Sequence, residues 1–159
     1  MIVVADTSPL NYLIQIDCDE LLPQLYERIV VPSGVMEELG HADAPAEVRA
    51  WLTRVPNWIE VQRTRLPLNT ELEFLGMGER QAIQLAEEQC ADLLLIDERR
   101  GRSEAIRRGL ITTGTLGVLL AAGEMQLIDP EPAYRRLLAE TTFRTSAALE
   151  AQFLGKMRM

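Results

Sequence analysis

Short runs of Val, Ile and Leu alternate along the chain with stretches in which apolar residues recur every three or four positions. Short apolar runs are typical of buried strands, and the second spacing is typical of helices that pack one face on a sheet. The alternation therefore predicts an α/β fold with a central, mostly parallel sheet of four to five strands. The predicted strands are residues 2–5, 29–31, 58–61, 93–96 and 110–112.

Helices are predicted between these strands and after the last one. Ser8 and Pro9 are expected at the start of the first helix, with Ser8 as its cap, and a second helix follows Pro32. We expect one domain over residues 1–159, with C-terminal helices at about 130–157 packed on it or used in association. The other predicted helices are residues 44–54, 78–90, 99–108 and 114–123.

Composition and charge narrow the class of protein. The chain has 159 residues, of which 47% are hydrophobic, and no apolar run approaches the ~20 residues of a membrane span. We therefore expect a cytoplasmic protein without a membrane partner. The net charge of -8 argues against a nonspecific nucleic-acid coat. It leaves room for a nucleic-acid enzyme if bound metal ions reverse the charge of a local acidic site.

Carboxylates stand where two predicted strands end. Asp6 follows the first strand in "VVADTS", and Asp97 follows the fourth in "LLLIDERR". Ligands of open α/β sheets bind at the carboxyl ends of the strands. An unpaired carboxylate buried at such an end is costly, whereas a carboxylate that binds a cation there is not. Both acids are therefore candidate metal ligands.

Two glutamates fall at comparable places. Glu38 lies about one helical turn beyond the second strand, at the border of the apolar face made by Val35 and Leu39, and it is preferred to Glu37. Glu79 lies in the first turn of the helix in "GMGERQAIQLA". Each acid alone is also explained as a helix cap or a solvated side chain. Four acids at similar positions favour a shared site, and oxygen ligands of this kind suit Mg²⁺ or Mn²⁺.

The motifs "VVADTSPL", "VVPSGVMEELG", "GMGERQAIQLA", "LLLIDERRGRSEAIRRG" and "ITTGTLGVL" follow one another in an order that resembles the PIN-domain family. The branch they resemble is the prokaryotic one similar to VapC-type toxins, over about residues 2–123. The resemblance implies a three-layer α/β/α fold and a metal-dependent ribonuclease that uses one or two Mg²⁺ or Mn²⁺ ions. It also implies RNA as substrate, with a cognate antitoxin and a second copy of the chain as further partners.

The family's acidic quartet falls by motif on Asp6, Glu38, Glu79 and Asp97. Many PIN proteins carry Asp in place of Glu79, which leaves the ligation by this longer side chain open. Several neighbouring residues are expected to support the acids or to bind RNA. Thr7 is expected to orient Asp6 or a bound water, and Glu98 either supplements Asp97 or is a solvated first-turn acid. The remaining candidates are Arg99, Arg100, Arg102 and Thr115. The arginines are expected to contact RNA phosphates or to form a solvated helix face, and Thr115 is expected to cap a helix or to contact a phosphate.

Two alternatives differ in class from a ribonuclease. A catalytically silent module would keep the fold and serve only to bind a partner. A phosphatase of the haloacid-dehalogenase type would also place an aspartate after its first strand, but the second aspartate expected two positions later is Ser8 here. Metal-free catalysis by paired histidines is excluded by count, because His41 is the only histidine.

An apolar stripe near the end of the chain predicts the role of the last helix. Leu149, Phe153 and Met157 recur at four-residue intervals. We expect Leu149 to be buried in the core, and Phe153 and Met157 to contact a second copy of the chain or an antitoxin.

Overall fold

The computed structural model describes residues 1–158, and within them it contains five strands and nine α-helices. The strands are β1 (Val3–Ala5), β2 (Ile29–Pro32), β3 (Ile59–Gln62), β4 (Leu93–Leu95) and β5 (Thr112–Thr113). The helices are α1 (Thr7–Gln15), α2 (Leu21–Tyr26), α3 (Ser33–Leu39), α4 (Ala46–Leu52), α5 (Met77–Glu88), α6 (Arg99–Arg107), α7 (Thr115–Glu124), α8 (Pro130–Glu140) and α9 (Ala147–Met157), with a 3₁₀ helix at Thr70–Leu72.

All five strands are parallel and lie in the order β3-β2-β1-β4-β5. Val3 pairs with Ile29 on one side and with Leu93 on the other, so β1 is the central strand. The chain builds the sheet outward from β1 to β3 and then returns to place β4 on the opposite side of β1. The strand order therefore reverses between β1 and β4, and it is at such a reversal that α/β sheets open a crevice for ligands.

The sheet is covered by helices on both faces, which explains why its three inner strands, β2, β1 and β4, are apolar runs. Val3 and Ala5 belong to a core with α1, α3, α7 and α8, whereas Val4 belongs to a second core with α5 and α6. Side chains alternate between the two faces along a strand, and all three of these residues are fully buried. The predicted α/β fold with a central parallel sheet between helical layers is confirmed.

Two elements differ from the sequence-based prediction. The fifth strand was expected at residues 110–112, but the N–H of Leu110 donates to the carbonyl of Ala105 and still belongs to the end of α6. β5 therefore begins only at Thr112. Helix α2 was not predicted, because its six residues include Pro23. Proline is tolerated in the first turn of a helix, where its missing N–H has no helical partner.

Helix α9 docks on the rest of the chain through Phe153 and not through Leu149. The ring of Phe153 is 2% exposed and lies 4.6 Å from the ring of Tyr134 on α8, centroid to centroid. Leu149 is 36% exposed. The expected roles of these two residues were therefore wrong with respect to burial, because the stripe fixes one face of the helix but not which part of that face meets the core. Met157 is partly buried against the same core.

Candidate active site

The four predicted acids lie around the crevice between β1 and β4. Asp6 follows β1, and its N–H donates to the carbonyl of Leu95 at the end of β4. Asp97 lies two residues beyond β4, and Glu38 and Glu79 lie on α3 and in the first turn of α5. The carboxyl ends of neighbouring parallel strands thus bring together residues that are far apart in the sequence.

Asp6 is the most enclosed of the four acids. Its residue is 3% exposed, and its Oδ1 atom is buried without a hydrogen-bond partner among residues 1–158. Burial raises the pKa of Asp6 to about 7, and this outweighs the hydrogen bond from the N–H of Thr7, which lowers it. The charges of Glu79, Glu38 and Asp97 raise the pKa of Asp6 further, so all three lie close enough to act on this carboxylate.

Asp97 is held by the start of helix α7. The N–H of Thr115 donates to its Oδ1 and the Thr115 hydroxyl donates to its Oδ2, both at 2.7 Å. Burial raises the pKa of Asp97, while these two hydrogen bonds and the charge of Arg102 act in the opposite direction. A Cβ atom at Gly114 would lie only 2.5 Å from Oδ1, so the close approach of Asp97 to α7 requires glycine at this position.

Glu38 links the end of β1 to the start of helix α5. Its Oε2 accepts a hydrogen bond from the Thr7 hydroxyl at 2.6 Å, and its Oε1 accepts one from the N–H of Gly78 at 2.8 Å. A Cβ atom at Gly78 would lie 2.6 Å from Oε2. Glycine at this position therefore makes room for the Glu38 carboxylate.

Glu79 is partly buried beside two other acids. Burial raises its pKa, with further increases from the charges of Glu98 and Glu38, while the N–H of Gly76 and the charge of Arg100 lower it. Glu98 itself caps helix α6, because its Oε2 accepts a hydrogen bond from the N–H of Gly101 at 3.0 Å. Glu98 therefore lies beside the cluster and is the N-cap of helix α6.

Three supporting residues have roles that differ from those expected. Thr7 orients Glu38 through its hydroxyl and contacts Asp6 only through its N–H. Ser8 does not cap the first helix, because α1 begins at Thr7 and Asp6 occupies the cap position. Thr115 is fully buried and bonded to Asp97, so it positions this acid and is not a contact for RNA.

The arginines of α6 fall into two groups. Arg107 and Arg108 form ion pairs with Glu104, and Arg108 also pairs with Glu71 and Glu87. Arg99, Arg100 and Arg102, by contrast, make no ion pair within residues 1–158. The guanidinium of Arg100 lies 5.3 Å from the centre of the exposed Phe74 ring. Arg100 and Arg102 therefore place positive charge beside Glu79 and Asp97, on whose pKa they act, whereas Arg99 lines a surface pocket with Phe74.

The oxygen ligands of these residues suit a divalent cation, but the side chains do not form a ready-made coordination site. Across residues 1–158, no three His, Cys, Asp or Glu side chains are grouped closely enough to hold a metal ion as they stand. Glu38 and Asp97 each bind a helix N-terminus instead, but a carboxylate oxygen that accepts one hydrogen bond keeps a second lone pair. A bound cation would give the unpartnered oxygen of Asp6 a ligand and would offset the repulsion that the other three acids exert on its charge.

Comparisons with known proteins identify the family and the fold. Residues 2–158 match the model of the family DUF3368, whose description is "PIN domain". A solved structure of a PilT N-terminus domain protein from the hyperthermophilic archaeon Sulfolobus solfataricus P2 is similar in fold, with a TM-score of 0.50 and 16% sequence identity. The match covers 91% of this chain and 100% of the archaeal one. A search of curated proteins found no significant match.

Proposed function

Because the chain belongs to the PIN-domain family, we propose that it is an Mg²⁺- or Mn²⁺-dependent endoribonuclease that hydrolyses RNA phosphodiester bonds. PIN domains are in general nucleases that bind divalent metals. The observation that carries the proposal is the state of Asp6. A buried charged carboxylate with an unpartnered oxygen and a pKa raised to about 7 destabilises the folded state, and the charges of three further acids destabilise it more.

Asp6 and Asp97 are the proposed direct ligands of the ion, and Glu38 and Glu79 are proposed to complete its surroundings. The chemistry that a divalent ion supplies at such a site is Lewis-acid activation of water and neutralisation of phosphate charge. Thr115 and Gly114 keep Asp97 at the start of α7, and Thr7 and Gly78 keep Glu38 between β1 and α5. Support of this kind fixes the orientation of carboxylates that ligate a metal.

The test is an RNA cleavage assay on the purified protein. We expect cleavage with Mg²⁺ or Mn²⁺, none in chelator, and a loss of at least about 100-fold in Asp6→Asn and Asp97→Asn. Glu38→Gln is expected to lose activity as well. Glu37→Gln is a matched control, because Glu37 is also exposed on α3 but accepts neither of the hydrogen bonds that hold Glu38. Folded Asp6→Asn or Asp97→Asn protein with full activity would refute the proposed ligands.

One observation favours a second candidate, a PIN-fold module that only binds a partner. Glu38 and Asp97 are already engaged with helix N-termini, as acids with a purely structural role would be. The two candidates differ in their response to metal. A binding module shows no metal-dependent RNA cleavage and keeps its partner affinity in Asp6→Asn. The family match and the presence of Ser8 both count against a phosphatase.

A cellular role as the toxin of a toxin–antitoxin pair is a finer proposal that rests on the ribonuclease activity. It requires that expression of the active protein arrests the growth of a bacterial host and that Asp6→Asn removes the arrest. A cytoplasmic location, a cognate antitoxin and a homodimer belong to the same proposal. No helix within residues 1–158 combines the length and apolar character that crossing a bilayer requires.

A further inference from the structure

A cavity of about 550 Å³ opens directly beside Asp97 and extends away from the acids toward helix α9. Asp97 and Glu98 belong to its lining, so the cavity is continuous with the candidate active site. Gln152 and Lys156 of α9 also line it, and the edge strand β5 contributes Thr112. We call this cavity the α9 groove.

Three positively charged side chains from separate elements converge on the α9 groove. Arg102 comes from α6, Arg144 from the segment before α9, and Lys156 from the last turn of α9. None of the three makes an ion pair within the described chain, and the Nε atom of Arg102 is buried there without a hydrogen-bond partner. Lys156 alone is explained by the dipole of its helix, but the convergence of three elements is not.

The rest of the lining combines polar residues, among them Ser8, Thr142 and Gln152, with an apolar and aromatic surface. Leu116, Phe153 and the exposed Leu149 form this surface together with the partly buried ring of Tyr12. Unpaired cations beside apolar and aromatic surface form the combination that binds single-stranded nucleic acid, in which phosphates contact the cations and bases contact the apolar surface. The volume lies in the range of small-ligand sites, about 300–1,000 Å³, which suits about one or two nucleotides and not a duplex.

We propose that the α9 groove binds the single-stranded RNA segment next to the bond that is cleaved, with Arg102, Arg144 and Lys156 contacting its phosphates. The inference rests on the proposed function, because it takes RNA as the ligand of the acidic site. An RNA strand accounts for both features of the groove: its phosphates match the cations, and its path reaches Asp97. In a chain of net charge -8, three cations outnumber the two acids, Asp97 and Glu98, that line the same groove, and this local excess favours an anion.

The test measures RNA binding separately from cleavage. The full chain carrying Asp6→Asn, which prevents turnover, is titrated with a fluorescein-labelled single-stranded RNA of mixed sequence in Mg²⁺ at several salt concentrations. Arg144→Gln and Lys156→Gln are each expected to weaken binding about threefold to tenfold and to reduce the slope of log affinity against log salt by about 0.7. Lys156→Arg keeps the charge and is expected to keep the affinity.

Arg49→Gln is the matched control, because Arg49 is an exposed arginine on α4 that does not line the groove. Arg102 is left unchanged, since its charge also acts on the pKa of Asp97. Thermal melts establish that each variant is folded. The proposal also requires that the same RNA annealed into a duplex binds more weakly than the single strand.

The outcomes distinguish this inference from the proposed function. If the unsubstituted protein cleaves RNA but Arg144→Gln and Lys156→Gln bind it as Arg49→Gln does, the groove assignment is wrong and the ribonuclease stands. If both variants lose RNA affinity while no form of the protein cleaves RNA, the groove stands and the ribonuclease is wrong. A change only in self-association, measured by light scattering, overturns the inference and makes the groove a protein contact.

Discussion

Glu104 and Asp6 are two buried carboxylates whose pKa values are shifted in opposite directions. Glu104 on α6 is 8% exposed and Asp6 after β1 is 3% exposed. Hydrogen bonds from Arg107, together with those from Arg108, lower the pKa of Glu104 to about 2. Burial without any such cation raises the pKa of Asp6 to about 7.

The difference separates a structural acid from a candidate functional one. Glu104 accepts hydrogen bonds from two arginines at once, and Arg108 extends this network to Glu71 and Glu87. The network is complete within the chain, so it stabilises the fold and needs no ligand. In the cluster around Asp6, by contrast, the buried Oδ1 atom of Asp6 has no hydrogen-bond partner among residues 1–158. A carboxylate of low solvent exposure is thus a structural element in one place and a potential cation ligand in the other.

The largest expected effect is on RNA cleavage and tests the comparison directly. We expect Asp6→Asn to reduce metal-dependent cleavage by at least about 100-fold, because it removes the charge of a proposed ligand. Glu104→Gln is expected to stay within a few-fold of the parent protein, measured well below its melting temperature. Equal losses in the two variants, both shown to be folded, would mean that the contrast between the two acids has no bearing on catalysis.

The second expected effect is a pair of stability changes with opposite signs. In chelator at about pH 8, Asp6→Asn is expected to stabilise the protein by about 2 kcal/mol, because a tenfold change in proton affinity is worth about 1.4 kcal/mol. Glu104→Gln is expected to destabilise it by about 2 kcal/mol, since it removes hydrogen bonds between charged groups. Urea unfolding measures both. A metal-free Asp6→Asn protein that is less stable than the parent would show that the Asp6 charge is compensated in the folded state.

The fold could be predicted largely from sequence, because a strand covered on both faces must be apolar at every position. The run at β1 is an example, since Val3, Val4 and Ala5 are all fully buried. Prediction failed where a backbone hydrogen bond, and not the pattern of apolar residues, determines where a helix ends and a strand begins. Leu110 and Ile111 are apolar, but the N–H of Leu110 closes helix α6 and Ile111 is 68% exposed.

The candidate acids could be predicted from strand ends, but their partners could not. Thr115 holds Asp97 across 18 residues of sequence and Gly78 holds Glu38 across 40, and no local pattern encodes these pairings. Phe153 shows the same limit. Its position on an apolar stripe predicts burial of one helix face, whereas the contact with Tyr134 that buries it depends on how α8 and α9 meet.

A smaller expected effect concerns the pH dependence of the metal-free protein. The pKa of Asp6 is raised from 3.8 to about 7, so its charge destabilises the fold above pH 7 and this cost disappears as the pH falls. The pKa of Glu104 is lowered from 4.5 to about 2, so its stabilising effect is present above pH 4.5 and is lost as the pH falls toward 2.

Melting temperatures in chelator are therefore expected to rise by a few degrees as the pH falls from about 8 to about 5, and to fall below that. Asp6→Asn is expected to flatten the rise while keeping the acid-side loss, and Glu104→Gln is expected to do the reverse. An unchanged rise in Asp6→Asn would assign it to other groups. Saturating Mn²⁺ should also remove the rise in the parent protein, because an ion that binds the charged acids stabilises the folded state most at the higher pH.

The smallest expected effect concerns Asp97, which lies between the two extremes because neutral donors hold it. Thr115→Val removes the hydroxyl that donates to Oδ2 and leaves the N–H that donates to Oδ1. We expect cleavage to fall about tenfold, in line with the loss of a residue that orients a metal ligand. The pKa of Asp97 should rise further, so the acidic limb of the activity profile should move to higher pH. Thr53→Val, at an exposed hydroxyl remote from the acids, is the control. Loss of activity without a shift of the acidic limb would assign Thr115 a packing role, and a shift shared by Thr53→Val would separate the pH profile from Asp97 altogether.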